Sequence, residues 1–156
     1  MSAGSPVSPL SPVQRYSSGG PYEAAVGYSR LVVTGDQGGS TPALAWTAGC
    51  TAIVDGDVVG VGDALAQTLA AFGVGLRALE LAGFSAGDVV QTRMYVVDLA
   101  EHSGAVGRGH AQLFADVRPA STMVGVAALI DPRLLVEVEL VAVRTAAATT
   151  SLGERP

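Results

Sequence analysis

The chain has 156 residues and a mass of 15.7 kDa, and its composition is 49% hydrophobic and 15% charged. That composition is too apolar for a disordered protein, and the length fits one domain around one core. All nine basic residues are arginine, so the lack of lysine excludes Schiff-base chemistry and a P-loop. The net charge of -5 argues against a nucleic-acid partner, because the sequence has no basic stripe.

Few residues are available for metal binding or for a disulfide. Cys50 is the single cysteine, which excludes an internal disulfide, and His102 and His110 are too few for a multi-histidine metal site in one chain. We therefore expect no metal and no cofactor. The N-terminal residues lack the pattern of a signal peptide, and no long apolar run predicts a membrane span. The expected location is the cytoplasm, without membrane association.

The two ends of the chain lack hydrophobic periodicity. Residues 1–21 contain several Ser, Pro and Gly residues and predict a flexible leader. Residues 145–156 predict a flexible tail. Residues 22–144 between them are expected to form a single domain.

The first elements of this domain are predicted strands. Residues 28–34 and 43–48 have strand-like alternation, and residues 57–59 follow an Asp-Gly turn as a short third strand. In residues 28–34, the period of two places Tyr28 and Arg30 on one face.

An amphipathic helix follows these strands. Asp63 is a predicted N-cap, and Gly83 is a predicted C-terminal stop. Gly73 and Gly75 inside the helix each cost about 1 kcal/mol against Ala, and close packing on a sheet is the expected compensation. Between the two ends, apolar residues recur at helical spacing at Leu65, Leu69, Phe72, Leu76 and Leu79.

The second half of the domain alternates strands with one more helix. Residues 88–98 predict a strand, residues 101–114 a helix, and residues 122–129 and 134–143 two further strands. This order indicates an α+β sandwich with both helices on one face of a mixed sheet. A second subunit is the simplest cover for the opposite face. One face of the first of these strands contains Val90, Thr92, Met94 and Val96.

Two carboxylates stand out in the last predicted strand. Glu137 and Glu139 share one face of this strand, about 6–7 Å apart. The other face is formed by Val136, Val138, Leu140 and Ala142. One interpretation is a solvated or edge face. The other is a carboxylate in an apolar cleft between subunits, where desolvation raises the pKa and suits the group to acid or base catalysis.

Four other side chains have both a functional and an ordinary interpretation. Tyr28 and Arg30 either recognise a small carboxylate together or form a surface pair. Cys50, after Gly49, either lines a cleft or is a small buried hydrophobic residue. His110 lies in helical register with apolar neighbours, which favours a packed histidine over a catalytic base.

Several motifs then occur in a characteristic order. Thr47-Ala48-Gly49 ends a predicted strand, and residues 88–99 form a long apolar strand. Arg118-Pro119-Ala120-Ser121-Thr122 precedes the strand at residues 135–144. Together these motifs resemble the Rid family, also called the YjgF family, over nearly the whole folded unit.

The resemblance implies a chorismate-mutase-like α+β fold and a homotrimer with a central barrel and clefts between subunits. It also implies hydrolysis of reactive enamines and imines to a 2-oxo acid and ammonia. In the family, an arginine binds the substrate carboxylate, and a glutamate and backbone groups near a Ser-Gly turn act on water. A tyrosine of the first strand helps to line the cleft.

Carried over to this sequence, the resemblance predicts Glu137 as the catalytic residue. The tyrosine is Tyr28, with Tyr22 of Gly20-Pro21-Tyr22 as its rival. The family pattern Pro-Ala-Arg-Ser reads Pro-Ala-Ser-Thr here, so Ser121 replaces the arginine, and Arg30 is a candidate substitute for the missing cation. The full predicted substrate-binding set is Tyr28, Arg30, Gly49, Cys50, Ser121 and Met123.

Two functions follow from this departure. The first is a Rid-like hydrolase that acts on a small enamine, imine or related metabolite with Glu137 and water. The second is a trimer that binds a small metabolite without turnover. It is considered because loss of the ionic bond between the family's arginine and a substrate carboxylate costs about a hundredfold in affinity. An RNA-directed nuclease is a third possibility, which the acidic pI and the lack of lysine oppose.

Overall fold

The structure is a computed structural model and describes residues 13–35 and 41–145. A 3-10 turn at Ala86–Asp88 precedes the seventh strand. The other elements, in chain order, are β1 (Gln14–Tyr16), α1 (Pro21–Val26), β2 (Leu31–Thr34), β3 (Ala43–Thr47), β4 (Cys50–Thr51), β5 (Ile53–Val54), β6 (Asp57–Val58), α2 (Ala64–Leu81), β7 (Val89–Val97), α3 (Leu99–Phe114), β8 (Ala120–Val126) and β9 (Val136–Arg144).

Seven strands form one mixed sheet, in the order β1-β2-β3-β9-β7-β8, with β4 also paired to β9. β7 and β8 are parallel and are connected by α3, whereas the other pairs in this sheet are antiparallel. β5 and β6 form a separate hairpin. Both long helices pack on one face of the sheet, α2 against β9 and α3 against β7 and β8. The predicted α+β fold is confirmed.

The strand faces follow the predicted alternation, with one exception in β7. Thr92, Met94 and Val96 are buried on the helix face. Val90 was expected to join them but is 45% exposed, because a bulge between Val89 and Gln91 shifts the register. In β9 the alternation holds throughout, and the buried residues are Val136, Val138, Leu140 and Ala142.

The ends of α2 are as predicted. The Asp63 carboxylate accepts a hydrogen bond from the backbone N–H of Ala66 at 3.0 Å. Gly83 has a φ of +72° just beyond the helix, a conformation that glycine adopts without strain. By length and composition α2 could also cross a membrane, but in this fold it packs as the central helix against the sheet.

The buried face of α2 differs from the predicted leucine stripe. Of that stripe only Phe72 and Leu79 are fully buried, because small residues let the helix approach the sheet closely. A Cβ at Gly75 would collide with the side chain of Leu140, which explains this glycine as close packing. Gly73 contacts no sheet residue in this way. The buried face is Ala64, Gln67, Thr68, Ala71, Phe72, Gly75, Ala78 and Leu79.

The predicted leader and first strand need correction. Gln14–Tyr16 pair with β2, and Pro21–Val26 form a short helix, so ordered structure begins before residue 22. Glu23 accepts hydrogen bonds through its backbone carbonyl from the N–H groups of Gly27 and Tyr28, which ends the helix and makes residues 28–30 a connecting loop. Residues 1–12 of the predicted leader and 146–156 of the predicted tail lie outside the described residues.

Candidate functional site

A cleft of about 990 Å³ opens on the side of β9 that faces away from the helices. Its walls are α1, the loop before β2, the Ala48-Gly49 turn, the β5–β6 hairpin and the segment before β9, and Val74 of α2 also lines it. The cleft brings together four predicted site residues and the rival tyrosine, namely Tyr22, Tyr28, Arg30, Gly49 and Glu137.

The Ala48-Gly49 turn is a break between two strands that pair with the same neighbour. β3 and β4 both pair with β9, and the turn lies between them. At this break the backbone N–H of Leu140 donates to the Thr47 hydroxyl at 3.0 Å instead of to a strand carbonyl. The break places Ala48 and Gly49 in the wall of the cleft.

Glu137 lies against this turn with its side chain half-buried. A Cβ at Gly49 would collide with the Glu137 carboxylate, so only glycine permits this approach. Burial raises the pKa of Glu137, and the charge of Glu139 raises it further, although Arg30 opposes the shift. A carboxylate with a raised pKa is suited to accept and return a proton.

Glu139 shares the face of Glu137, as predicted, but has different surroundings. Its carboxylate accepts a hydrogen bond from Tyr95 at 3.1 Å and forms an ion pair with Arg93 at 3.3 Å. Burial, followed by the charge of Glu139, raises the pKa of Tyr95. The two carboxylates are therefore distinct, because Glu139 is paired and Glu137 faces the cleft.

Arg30 is held in the cleft wall by contacts with four residues, one of which is Cys50, whose sulfur lies 3.7 Å from Nη1. Its side chain is 13% exposed. Nη1 donates to the carbonyl of Gly49 at 2.7 Å, and Nη2 donates to the hydroxyl of Tyr28 at 3.0 Å. Nε lies 3.7 Å from the carboxylate of Glu23. Tyr28 and Arg30 are thus side by side, as predicted, although they lie in a loop and not in a strand.

Glu23 is a member of this cluster that the sequence analysis missed. It is only 6% exposed, and its carboxylate accepts hydrogen bonds from the N–H and hydroxyl of Ser18. Burial opposes its ionisation, but hydrogen bonds from Ser17 and Ser18 and the charge of Arg30 outweigh burial and lower its pKa. Nothing in the sequence pattern separates this residue from a surface acid.

Cys50 needs correction as a substrate-binding residue. It is 1% exposed and belongs to the core, because pairing of β4 with β9 places it opposite Val138. Its thiol donates to the carbonyl of Ala48 at 3.2 Å. Burial raises the pKa of Cys50, although Arg30 opposes this shift, so a neutral thiol is favoured. The alternative interpretation as a small buried hydrophobic residue describes it correctly.

Ser121 and Met123 lie on the other face of the sheet from Glu137. Parallel pairing of β8 with β7 places them beside Thr92 and Met94, which face the helices. The Ser121 hydroxyl accepts a hydrogen bond from Thr92 at 3.0 Å, and Met123 packs against the core. Within one chain the structure does not bring these two residues to the cleft.

His110 is a packed helix histidine, as favoured from the sequence. Its Nε2 is 2.9 Å from the Thr92 hydroxyl, and its ring packs between Phe72 and Phe114 at centroid distances of 5.7 and 5.0 Å. Burial lowers its pKa. Across residues 13–35 and 41–145, no group of three or more His, Cys, Asp or Glu side chains is placed to hold a metal ion.

Comparison with known proteins shows which family this sequence and fold resemble. The family model described as Endoribonuclease L-PSP matches residues 13–144. An uncharacterized protein of Streptomyces coelicolor is 37% identical over 134 residues, which cover 86% of this chain and 94% of that protein.

Two solved structures show the same similarity. One is a Mycobacterium tuberculosis protein described as a member of the highly conserved YjgF/YER057c/UK114 family, with 42% identity, a TM-score of 0.71, and coverage of 84% of this chain and 98% of that one. The other is the Yersinia pestis protein YyfA, of unknown function and from the conserved Rid protein family. Its identity is 26% and its TM-score 0.62, with coverage of 74% of this chain and 86% of that one.

Proposed function

The chain belongs to the YjgF/YER057c/UK114 family, also called the Rid family, and from this premise we propose that it hydrolyses a small enamine or imine in the cleft beside Glu137. The observation that carries the proposal is the position of the Glu137 carboxylate. It is half-buried, pressed against Gly49 and open to a cleft large enough for a metabolite. Burial also raises its pKa.

Glu137 serves as the acid–base group in this proposal. Its carboxylate takes a proton from water as the water oxygen bonds to the imine carbon, and the proton then passes to the nitrogen. The product of this step is a carbinolamine. Its hydroxyl proton then passes to the nitrogen, again through Glu137, as the carbon–nitrogen bond breaks, which releases ammonia and leaves a carbonyl compound. Tyr28, held by Arg30, lines the reacting region, and the backbone N–H of Gly49 orients the substrate. No metal or cofactor enters this mechanism.

We further propose a cytoplasmic homotrimer in which a neighbouring subunit completes the cleft. The outer sheet face, which includes Glu137, exposes Trp46 by 39% and Val124 by 42%. Burial of such residues in an interface is favourable. β8 is the last strand in the sheet order, so its outer edge has no strand partner among the described residues. In an assembly, this edge would bring Ser121 and Met123 of one subunit near the cleft of another.

Binding of a metabolite without turnover is the second candidate. It is favoured by Ser121, which stands where the family pattern has arginine and can offer only a neutral hydrogen bond. The matching family model is described as an endoribonuclease, but the charges of the cleft do not favour a nucleic-acid partner. Asp55, Asp131 and Glu137 line the cleft, and their charges oppose the approach of phosphate.

Release of ammonia from freshly generated imines tests the proposal. The wild type should accelerate hydrolysis above the spontaneous rate, and Glu137→Gln should lose about a hundredfold or more of that rate. Glu101→Gln is the matched control, because it makes the same chemical change at the exposed start of α3, outside the cleft, and should retain most activity. Saturable binding of an imine with no ammonia released above background would support the non-catalytic alternative.

A further inference from the structure

We propose that the cleft selects an imine or enamine that carries no free carboxylate, and that Arg30 is a positioning residue and not a carboxylate receptor. The inference rests on the proposed hydrolase and names its substrate class. The observations behind it are the contacts of Arg30, the balance of charge along the cleft and the apolar character of its walls.

Each nitrogen of the Arg30 guanidinium faces a group of the protein itself. Nη1 and Nη2 donate to the Gly49 carbonyl and the Tyr28 hydroxyl, and Nε faces the Glu23 carboxylate. Carboxylate recognition by arginine usually uses two parallel N–H donors on one edge of the guanidinium. Nε makes no hydrogen bond, but it is buried in the wall and lies 3.7 Å from the Glu23 carboxylate. A substrate carboxylate that needed two parallel donors would therefore also have to displace the Tyr28 hydroxyl or the Gly49 carbonyl.

The positive charges of the cleft are also neutralised internally. Glu23 is buried beside Arg30, and its lowered pKa keeps it ionised. Arg133 donates to both carboxylate oxygens of Asp131, at 3.0 and 2.8 Å, and hydrogen bonds from Arg133 lower the pKa of Asp131 to about 2. The net charge offered by these two arginines to a substrate is therefore small.

Two acidic side chains of the cleft form no ion pair among the described residues, although the charge of Arg30 acts on one of them, Glu137. Within residues 13–35 and 41–145, neither Asp55 nor Glu137 forms an ion pair, and both line the cleft. In a single subunit, a carboxylate on the substrate would meet their negative potential, and the nearby Arg30 is already paired with Glu23. A neutral or cationic imine would not carry this penalty.

The rest of the wall is suited to an uncharged substituent. Ile130 and Val26 line the cleft and are 81% and 71% exposed, and Tyr22 adds an aromatic ring that is 61% exposed. Contact with a small alkyl group would remove part of this apolar surface from water, which is favourable. The substrate class is thus an imine with a small apolar group and an amide, ester or hydrogen where an imino acid has its carboxylate.

Binding of two product analogues tests the inference without turnover. Pyruvate and pyruvamide have nearly the same shape, and only pyruvate carries the charge. Isothermal titration calorimetry on the wild-type protein should show pyruvamide bound at least about fivefold more tightly, the size expected of one uncompensated charge in a partly screened cleft. Tighter binding of pyruvate, equal binding, or no binding of either compound would overturn the inference.

A charge variant tests the stated cause. Glu23→Gln removes the counter-charge of Arg30 and should strengthen pyruvate binding about fivefold relative to pyruvamide. Glu101→Gln is the matched control, because it removes one acid from the exposed start of α3 and should leave the preference unchanged. An equal change in both variants would assign the effect to net charge and overturn the role given to the Glu23–Arg30 pair.

The outcomes separate this inference from the proposed function. Ammonia release by the wild type together with tighter pyruvate binding would retain the hydrolase and remove the substrate class. Tighter pyruvamide binding with no ammonia released from either kind of imine would retain the selectivity of the cleft and remove the hydrolase.

Discussion

Replacement of Gly49 by alanine is the sharpest perturbation of the site. The added carbon would lie 2.9 Å from Cδ of Glu137 and still closer to its carboxylate oxygen. A real Cβ does not approach other atoms so closely, so the end of the Glu137 side chain must rotate away from the turn. Overpacking of this kind costs about 1–3 kcal/mol, and the flexible carboxylate places Gly49→Ala at the lower end of that range.

The effect on activity should be larger than the effect on stability. A shift of about 1 Å in a catalytic group costs about a hundredfold in rate, so kcat for ammonia release should fall by that order. Thermal unfolding should show a loss of only about 1 kcal/mol. The control is Gly107→Ala in α3, where a Cβ meets nothing within 4 Å and the helix should gain about 1 kcal/mol.

The comparison of the two glycine variants has a clear refuting result. If Gly49→Ala retained wild-type kcat while folding normally, the Glu137 carboxylate would not need its place against the turn. The assignment of Glu137 as the acid–base group would then be wrong. An equal loss of kcat in Gly107→Ala would assign the effect to a general response of the fold.

Three further predictions concern the Arg30 cluster and the core. Arg30→Ala leaves the buried carboxylate of Glu23 without its cation and should destabilise the fold by about 3 kcal/mol, measured by urea unfolding, and Arg30→Lys should recover part of the loss. The pKa of Glu23 is lower in the folded protein than its usual 4.5, so its stabilising effect is present above that pH and is lost as pH falls through the folded pKa. The free energy of unfolding should therefore fall less steeply at acid pH in Glu23→Gln than in the wild type. The same fall in both proteins would contradict the ion pair. Gly75→Ala should cost about 1–3 kcal/mol in thermal unfolding because its Cβ meets Leu140, and a gain in stability would contradict the close packing of α2.

The sequence predicted the fold correctly where the hydrophobic pattern is long and regular. β9 alternates over nine residues, so its buried and outward faces were predicted correctly, including the shared face of Glu137 and Glu139. The limits of α2 were predicted from Asp63 and Gly83, which act through local backbone chemistry. Its buried face was not predicted, because the helix contacts the sheet through small residues, whereas the prediction followed the spacing of the large apolar residues.

The errors arise where pairing between distant segments decides the outcome. β4 has only two residues, so no periodicity indicates that Cys50 faces the core. The face of Ser121 depends on parallel register with β7, and the exposure of Val90 depends on a bulge in that strand. The burial of Glu23 follows from the way α1 folds back onto the loop that carries Arg30, which a six-residue helix does not reveal in sequence.

The dependence of kcat/KM on pH tests the role of Glu137 most directly. Ammonia release from a neutral imine would be measured for the wild type and Glu137→Gln, with the spontaneous rate subtracted. Because the folded pKa of Glu137 is raised above 4.5, wild-type activity should fall as pH decreases through a midpoint above that value. This fall should be absent from the residual activity of Glu137→Gln. A midpoint at or below 4.5, or the same fall in the variant, would contradict the assignment.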